Sequence, residues 1–590
     1  VTIELGHPLF AEPARAGKSP LHRRASAQIL AKATDARPDQ DPLRRAVWQL
    51  DGGGAVDGHL LACGADRALA ALDLPLANRL AAAAVAAGAG SNAEVLLARV
   101  LVLRGGAAQA EELLAKLLDE PLEPEPWAQL TAQRAWNMVF GLEQPVRSEK
   151  ILVDALSRAR PGAQVLLVEQ ASIMTYAGAP TQALAALQAP LQSPDIDDST
   201  LAQAYTVSAE ARTVAGDVTT AIIHGRRATE NYRKILGSDW SMARDEAESA
   251  LVGALLMDGE LDEAQSRIER SYDQSRDAGW AMGTGTWSLW RAEVALARGM
   301  ILQAEEHYRL ALAAYDRDPH PFFNWQKRFA TDHLAAVLAM SGKVQACTIL
   351  LDRADELARP WLGALDAWNG STHAWLAAAV GDSATAIGHI LDLADQAASR
   401  GQLGWATVTL HQAVRLGEAS CVVGRVEELS TKTSGRVARL YLEHATSLSR
   451  HDGTHVLGVA TRFGGLGMKL LAAEAAAQAH TCLLEAGDAR GAAIAQQCSL
   501  RWAQECVGAA TPALRQCADT SELTAREVQI AHIAAAGTTN RDIADQLGIS
   551  PRTVENILHH VYEKTHLQGR GDLPAFLGYS RDAGVNSNHR

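Results

Sequence analysis

The chain has 590 residues, 55 of them basic and 68 acidic, giving a formal net charge of −13 and an isoelectric point near 5.8. At roughly 100–200 residues per domain this length implies several domains or one long array with attachments. The acidic balance excludes a general polycation, so any contact with nucleic acid has to be local, and abundant alanine with only 5% aromatics favours helices over sandwiches or barrels.

Seven cysteines (Cys63, Cys347, Cys421, Cys482, Cys498, Cys506 and Cys517) are odd in number and widely spaced, without a Cys-x-x-Cys pair. That argues against a disulfide scaffold and against a structural zinc site. Apolar stretches such as Leu80–Ala87 fall far short of the roughly 18 residues that span a bilayer. Residues 1–20 carry Glu4, Glu12, Arg15 and Lys18 and lack the apolar run of a signal peptide. The expectation is a reduced, cytoplasmic protein without membrane contact.

At the front, Gly17-Lys18-Ser19 has the closing residues of a phosphate-binding loop. Its opening glycine is replaced by Glu12, which repels phosphate, and Pro20 follows, so no nucleotide site is assigned. Gly283-x-Gly285 has Ser288 where a third glycine belongs, which argues against a dinucleotide site. Neither a Gly-x-Ser-x-Gly elbow nor a His-Glu-x-x-His helix occurs. The acidic residues read as solvated helix faces. No catalytic residue, cofactor or metal is assigned, and the expected class is not an enzyme.

From about residue 90 a repeat emerges. A glycine is followed five residues later by alanine at Gly105/Ala110, Gly178/Ala183, Gly216/Ala221, Gly259/Ala264, Gly299/Ala304, Gly381/Ala386 and Gly487/Ala492; Gly342 has Cys347 there. Gly141 continues the spacing, with Val146 at the small position. The central glycines stand 38, 43, 40, 43 and 39 residues apart. Glycine accepts the left-handed conformation that ends a helix, and a small residue in the next helix lets two backbones approach. Stacked helix pairs of this length form a solenoid. The array is placed at residues 89–506, with weaker marks between 420 and 480, and resembles tetratricopeptide-like repeats.

Eight of 13 tryptophans lie between residues 280 and 405. Trp287 and Trp290 share a helix face. They, with Trp325, Trp368 and Trp375, either fill gaps left by small residues or line an effector groove.

After an expected linker at 507–518, residues 519–578 change character. Thr524 and Glu527 form a capping box for a first helix with Val528, Ile530, Ala531, Ile533 and Ala534 inward. Thr539 to Asp542 is a second start signal, Gly548 makes a turn, and Ser550 with Pro551 opens a third helix. That helix has an apolar stripe, Val554, Ile557, Leu558 and Val561. Its polar stripe is Arg552, Glu555, Asn556 and His559. A helix-turn-helix that exposes such a stripe fits the major groove, whose base edges differ in donors and acceptors.

Leu523-Thr-Ala-Arg-Glu, Gly537, Asn540-Arg-Asp-Ile-Ala, Leu547, Ile549-Ser, Thr553-Val-Glu and Val561-Tyr-Glu-Lys together resemble the LuxR-type DNA-binding domain over about 60 residues. The resemblance implies a four-helix module that binds double-stranded DNA as a homodimer. It implies base contacts from Glu555, Asn556 and His559. Asn540, Arg541, Arg552, Thr553 and Lys564 are the expected backbone contacts. Ile557 departs from the family's usual histidine, and Lys564-Thr565-His566 from its Lys-Leu-Gly. Residues 519–578 hold five basic and eight acidic side chains, a net of −3. Since phosphate neutralisation supplies most non-specific affinity, the excised monomer is expected to bind weakly.

Residues 1–88, through Leu5-Gly-His-Pro-Leu, Arg23-Arg24, Ala46–Leu50 and Ala68–Leu74, resemble the helical region that follows the ATPase of large ATP-binding LuxR regulators. Cys506 to Leu514 is similar to their segment before the DNA module. The resemblance places the start of this chain just downstream of such an ATPase, either lost from the gene or lying upstream of an internal start. Residues 579–590 are expected to be a flexible tail.

The whole is expected to be all-α: a solenoid that receives a small-molecule or protein effector, followed by a four-helix module that reads DNA, with RNA polymerase as a further partner. The alternatives are an interaction scaffold with a vestigial DNA module and a fragment of an ATP-switched regulator.

Overall fold

The computed structural model describes residues 19–35, 41–54, 57–70, 73–158, 163–236, 242–317, 323–519, 523, 525–565 and 567–576. The expected tail at 579–590, the first 18 residues and the Thr524 cap lie outside them. The described residues are built from helices, apart from one isolated bridge between Asp217 and Ser434. None of the helices is long and apolar enough to cross a membrane.

The glycine–alanine rule has a direct structural cause. Gly105, Gly178, Gly216, Gly259, Gly299, Gly342, Gly381 and Gly487 all have φ between +73° and +88°. Ala110, Ala183, Ala221, Ala264, Ala304, Cys347, Ala386 and Ala492 are all 0% exposed, pressed against the preceding helix. Gly141 departs from the pattern. It ends a π-helical turn, Asn137–Gly141, and Glu143 takes the positive φ of 54° instead. The inserted turn moves the packing position from Val146, which is exposed, to Ser148, whose hydroxyl donates to the Ala135 carbonyl at 2.8 Å.

The weakly marked stretch continues the array through Val423–Ser430, Arg436–Ser449, Gly453–Gly465 and Lys469–Glu485. The array also returns upon itself. Gln402 Nε2 donates to the carbonyls of Gly178 (2.9 Å) and Gly363 (3.0 Å). The Ser434 amide donates to Gly216 at 2.8 Å, Arg436 grips Asp258 through its amide (2.7 Å) and Nε (2.9 Å), and the Ala510 amide donates to Met340 at 2.7 Å. These bonds join turns of early repeats to later ones, so the inner helices surround an interior.

Two expected boundaries differ. An N-terminal core runs from Ala46 to Val100, across the 88/89 division, because Ala93, Leu96 and Val100 cover the apolar side of the preceding helices. Within the expected linker, Pro512 begins a helix to Asp519 that buries Leu514 and Cys517, and Gln496 donates to the Cys517 carbonyl at 3.1 Å.

Candidate nucleic-acid interface and interior cavity

The C-terminal module has helices at Ala525–Ala535, Asn540–Leu547, Pro551–Lys564 and Leu573–Phe576. Ile530, Ala531, Ala534, Ile543, Ala544, Val554, Leu558, Val561 and Leu573 form its core. Thr539 Oγ1 accepts from the Asp542 amide (3.2 Å), the expected cap, but the Asp542 carboxylate accepts from the Thr539 hydroxyl (2.6 Å) where a capping box would use the Thr539 backbone N–H. Gly548 is left-handed, with φ +65°, and ends the second helix. Ser550 Oγ accepts from the Thr553 amide at 3.0 Å, and Pro551 takes the first helical position.

Burial of Val554, Leu558 and Val561 fixes the rotation of the third helix. Arg552, Thr553, Glu555, Asn556 and His559 then share its exposed side. His559 Nδ1 lies 3.5 Å from Glu563. Of the expected backbone contacts, Arg541 and Arg552 are exposed and have no ion-pair partner among the described residues. The others are engaged internally. Asn540 accepts from Arg570 Nη1 at 2.6 Å, and Thr553 shares a hydroxyl bond with Ser550 at 2.7 Å. Lys564 reaches both oxygens of the buried Glu527 at 3.0 Å, locking the third helix to the first. The module rests on the last repeat helix through Ala493 and Ile494, and Arg490 pairs with Asp572 at 3.2 Å.

Inside the solenoid a cavity of about 220 Å³ opens between the inner helices. Trp290 and Trp325 line it, together with Trp280, Trp405, Tyr176 and Phe329. Trp287, one of the residues offered for the groove, fills a gap between helices instead: it is 0% exposed, packs with Leu251, Leu255 and Ile268, and its indole N–H donates at 2.9 Å to Asp245 of the cavity lining. Trp375 lines a second cavity of about 170 Å³ beside Arg415, whose guanidinium lies 4.4 Å from the ring centre. The side chain of Trp368 lies outside the described residues.

The larger cavity also corrects the view of the acidic residues as solvated. Glu210, Asp245 and Glu246 line it, and Glu169 stands behind them. Burial, and then the charge of Glu246, raises Glu169 to about 8; burial raises Glu246 to about 7. Glu210 is raised well above the carboxylate range for the same two reasons as Glu169. Glu169 Oε1, Glu210 Oε2 and Gln326 Oε1 are buried without a hydrogen-bond partner among the described residues. A signal existed in the sequence for one of them: Ala209-Glu210-Ala211 sets a carboxylate between the small residues that mark closely packed helices. Ala292-Glu293-Val294 and Ala473-Glu474-Ala475 repeat the pattern, and both glutamates are buried.

Residues 521–575 match the family model described as bacterial regulatory proteins, luxR family. No curated protein matches the chain. Among solved structures, a Rap protein complexed with Competence and Sporulation Factor is 14% identical, covering 63% of this chain and 98% of its own, with a TM-score of 0.45. The APC/C hetero-tetramer Cut9–Hcn1 is 13% identical, covering 87% and 99%, with a TM-score of 0.41. The maize pentatricopeptide repeat protein PPR10 is 14% identical, covering 96% and 93%, with a TM-score of 0.21.

Proposed function

We propose that the chain is a sequence-specific DNA-binding transcriptional regulator whose solenoid senses an effector. The observation that carries this reading is the third helix of the module. It is capped at Ser550, anchored by Val554, Leu558 and Val561, and presents Glu555, Asn556 and His559 to solvent on one edge. An asparagine amide pairs with an adenine edge, a glutamate accepts from a cytosine amine, and a histidine addresses a purine acceptor. Arg541 and Arg552 supply phosphate contacts, with Asn540 and Thr553 beside them. Lys564 reaches phosphate only by leaving Glu527. Two modules bind together, because one with a net charge of −3 neutralises too few phosphates alone. An effector in the solenoid acts by binding one arrangement of the chain better than another.

Footprinting on DNA selected from random sequence tests the reading. The full chain is expected to protect a defined site. An Asn556→Ala, His559→Ala double variant is expected to lose that protection while melting at the same temperature, since both side chains are exposed. A wild-type chain that protects nothing would instead support an interaction scaffold with a vestigial module.

A further inference from the structure

We propose that the larger solenoid cavity binds an amphipathic organic cation. Its primary ammonium is held by Glu210, Glu246 and Gln326, and its apolar body packs among Trp280, Trp290 and Trp325. This rests on reading the solenoid as the sensing part and adds the chemical class of what is sensed.

The polar groups left unsatisfied set the class. Gln326 is 4% exposed and Glu169 5%, and each keeps a buried oxygen without a partner, as does Glu210. Of these, Glu210 and Gln326 line the cavity; the Gln326 oxygen only accepts, and a carboxyl that gives up its proton only accepts, whereas the Trp325 indole N–H is a lining donor left unmatched among the described residues, so the polar end of the ligand brings mainly donors. A buried acceptor left unmade is costly, more so where charge is involved. Among the described residues no lysine, arginine or histidine lines the cavity. The titratable groups that face one another there are Glu169, Tyr176, Glu210, Asp245 and Glu246, all acidic. A cation can take the place of a carboxyl proton there, whereas an anion meets no fixed positive charge among the described lining residues.

The aromatic lining points the same way, because ring faces attract cations. A bare metal ion is poorly served, since among the described residues no three histidine, cysteine or acidic side chains converge on one point. Size limits the body: cavities of about 150 Å³ hold benzene, so 220 Å³ takes one ring with a short arm carrying the amine.

Calorimetry on the full chain without DNA tests the site, using phenethylamine, 2-phenylethanol and 3-phenylpropanoate as probes. The amine is expected to bind saturably and at least ~10-fold more tightly than the alcohol, with no binding by the carboxylate. Its binding heat is expected to depend on the buffer's ionisation enthalpy, because the arriving cation expels protons from the carboxyl cluster. A Glu210→Gln, Glu246→Gln variant is expected to weaken the amine at least ~10-fold and to remove the buffer dependence, while unfolding at the same or a higher temperature. Equal or tighter binding of the alcohol or carboxylate overturns the proposal. So does amine affinity unchanged in the variant, or no saturable amine binding below about 10 mM. The probe series on the unmodified chain decides the matter if the variant fails to fold. With no DNA present, loss of this site leaves the footprint standing, and loss of the footprint leaves this site standing.

Discussion

Glu246 shows how a single residue carries a pH dependence. Its carboxyl titrates near 7 in the folded chain against an ordinary 4.5, and Glu169 near 8. In the window between these values the folded state holds protons that the unfolded chain has released. Their contribution to stability is therefore full below 4.5 and is lost as pH rises through 7 to 8. Glu246→Gln removes one such group and relieves its neighbours. Between about pH 6.5 and pH 8 the melting temperature of the wild type is expected to fall more than that of the variant, which melts higher at the upper end. His224 and His444, lowered to about 4 by burial, act at lower pH with the opposite sign and leave this comparison clear. Parallel melting curves for the two chains would show that Glu246 is not held protonated. At the helix cap, Ser550→Ala removes the acceptor for the Thr553 amide and is expected to cost about 1 kcal/mol in denaturant unfolding of the C-terminal module.

Helix pairs were the most legible feature of the sequence, because a left-handed turn and a close helical approach each demand a particular residue type. Gly381 and Gly299 satisfy the same turn rule yet stand in different surroundings. A methyl group on Gly381 meets nothing within 4 Å, so Gly381→Ala carries only the cost of φ +88°, about 1 kcal/mol. A methyl group on Gly299 would lie 2.7 Å from Cys506 Sγ and 2.8 Å from the Leu470 amide nitrogen, the latter being backbone that cannot swing aside. Gly299→Ala is thus expected to destabilise the chain by clearly more than Gly381→Ala, read as a larger fall in denaturation midpoint. Equal losses would mean that the turn at Gly299 does not abut the later repeats. No local pattern distinguishes these glycines, since the neighbours of Gly299 lie more than 170 residues further along the chain. Gly141 misled for the converse reason: its spacing fits, but the π-helical turn from Asn137 shifts the packing by two residues.

At the scale of the molecule, closure of the array creates what sequence spacing could not reveal. Glu210, Glu246 and Gln326 lie on three different repeats and meet only because those repeats curve around one cavity. The polar stripe of the C-terminal module was legible because it lies within a single helix. The fate of its cations was not, because the partners of Lys564 and Arg570 come from other helices. That difference yields a measurable number. Lys564 and Arg570 are spent inside the module, and Arg526 bonds Gln529, which leaves Arg541 and Arg552 to meet phosphate. Two modules bound together, as proposed, offer about four cations, and since each neutralised phosphate contributes about −0.9, the logarithm of affinity is expected to fall with that of salt with a slope of about −4. Arg541→Ala, Arg552→Ala is expected to flatten that slope towards zero while leaving melting unchanged, because both side chains are exposed. A wild-type slope near about −8 would require the interior cations to reach DNA as well. The Lys564–Glu527 lock would then have to open on binding, freeing the third helix to move against the first.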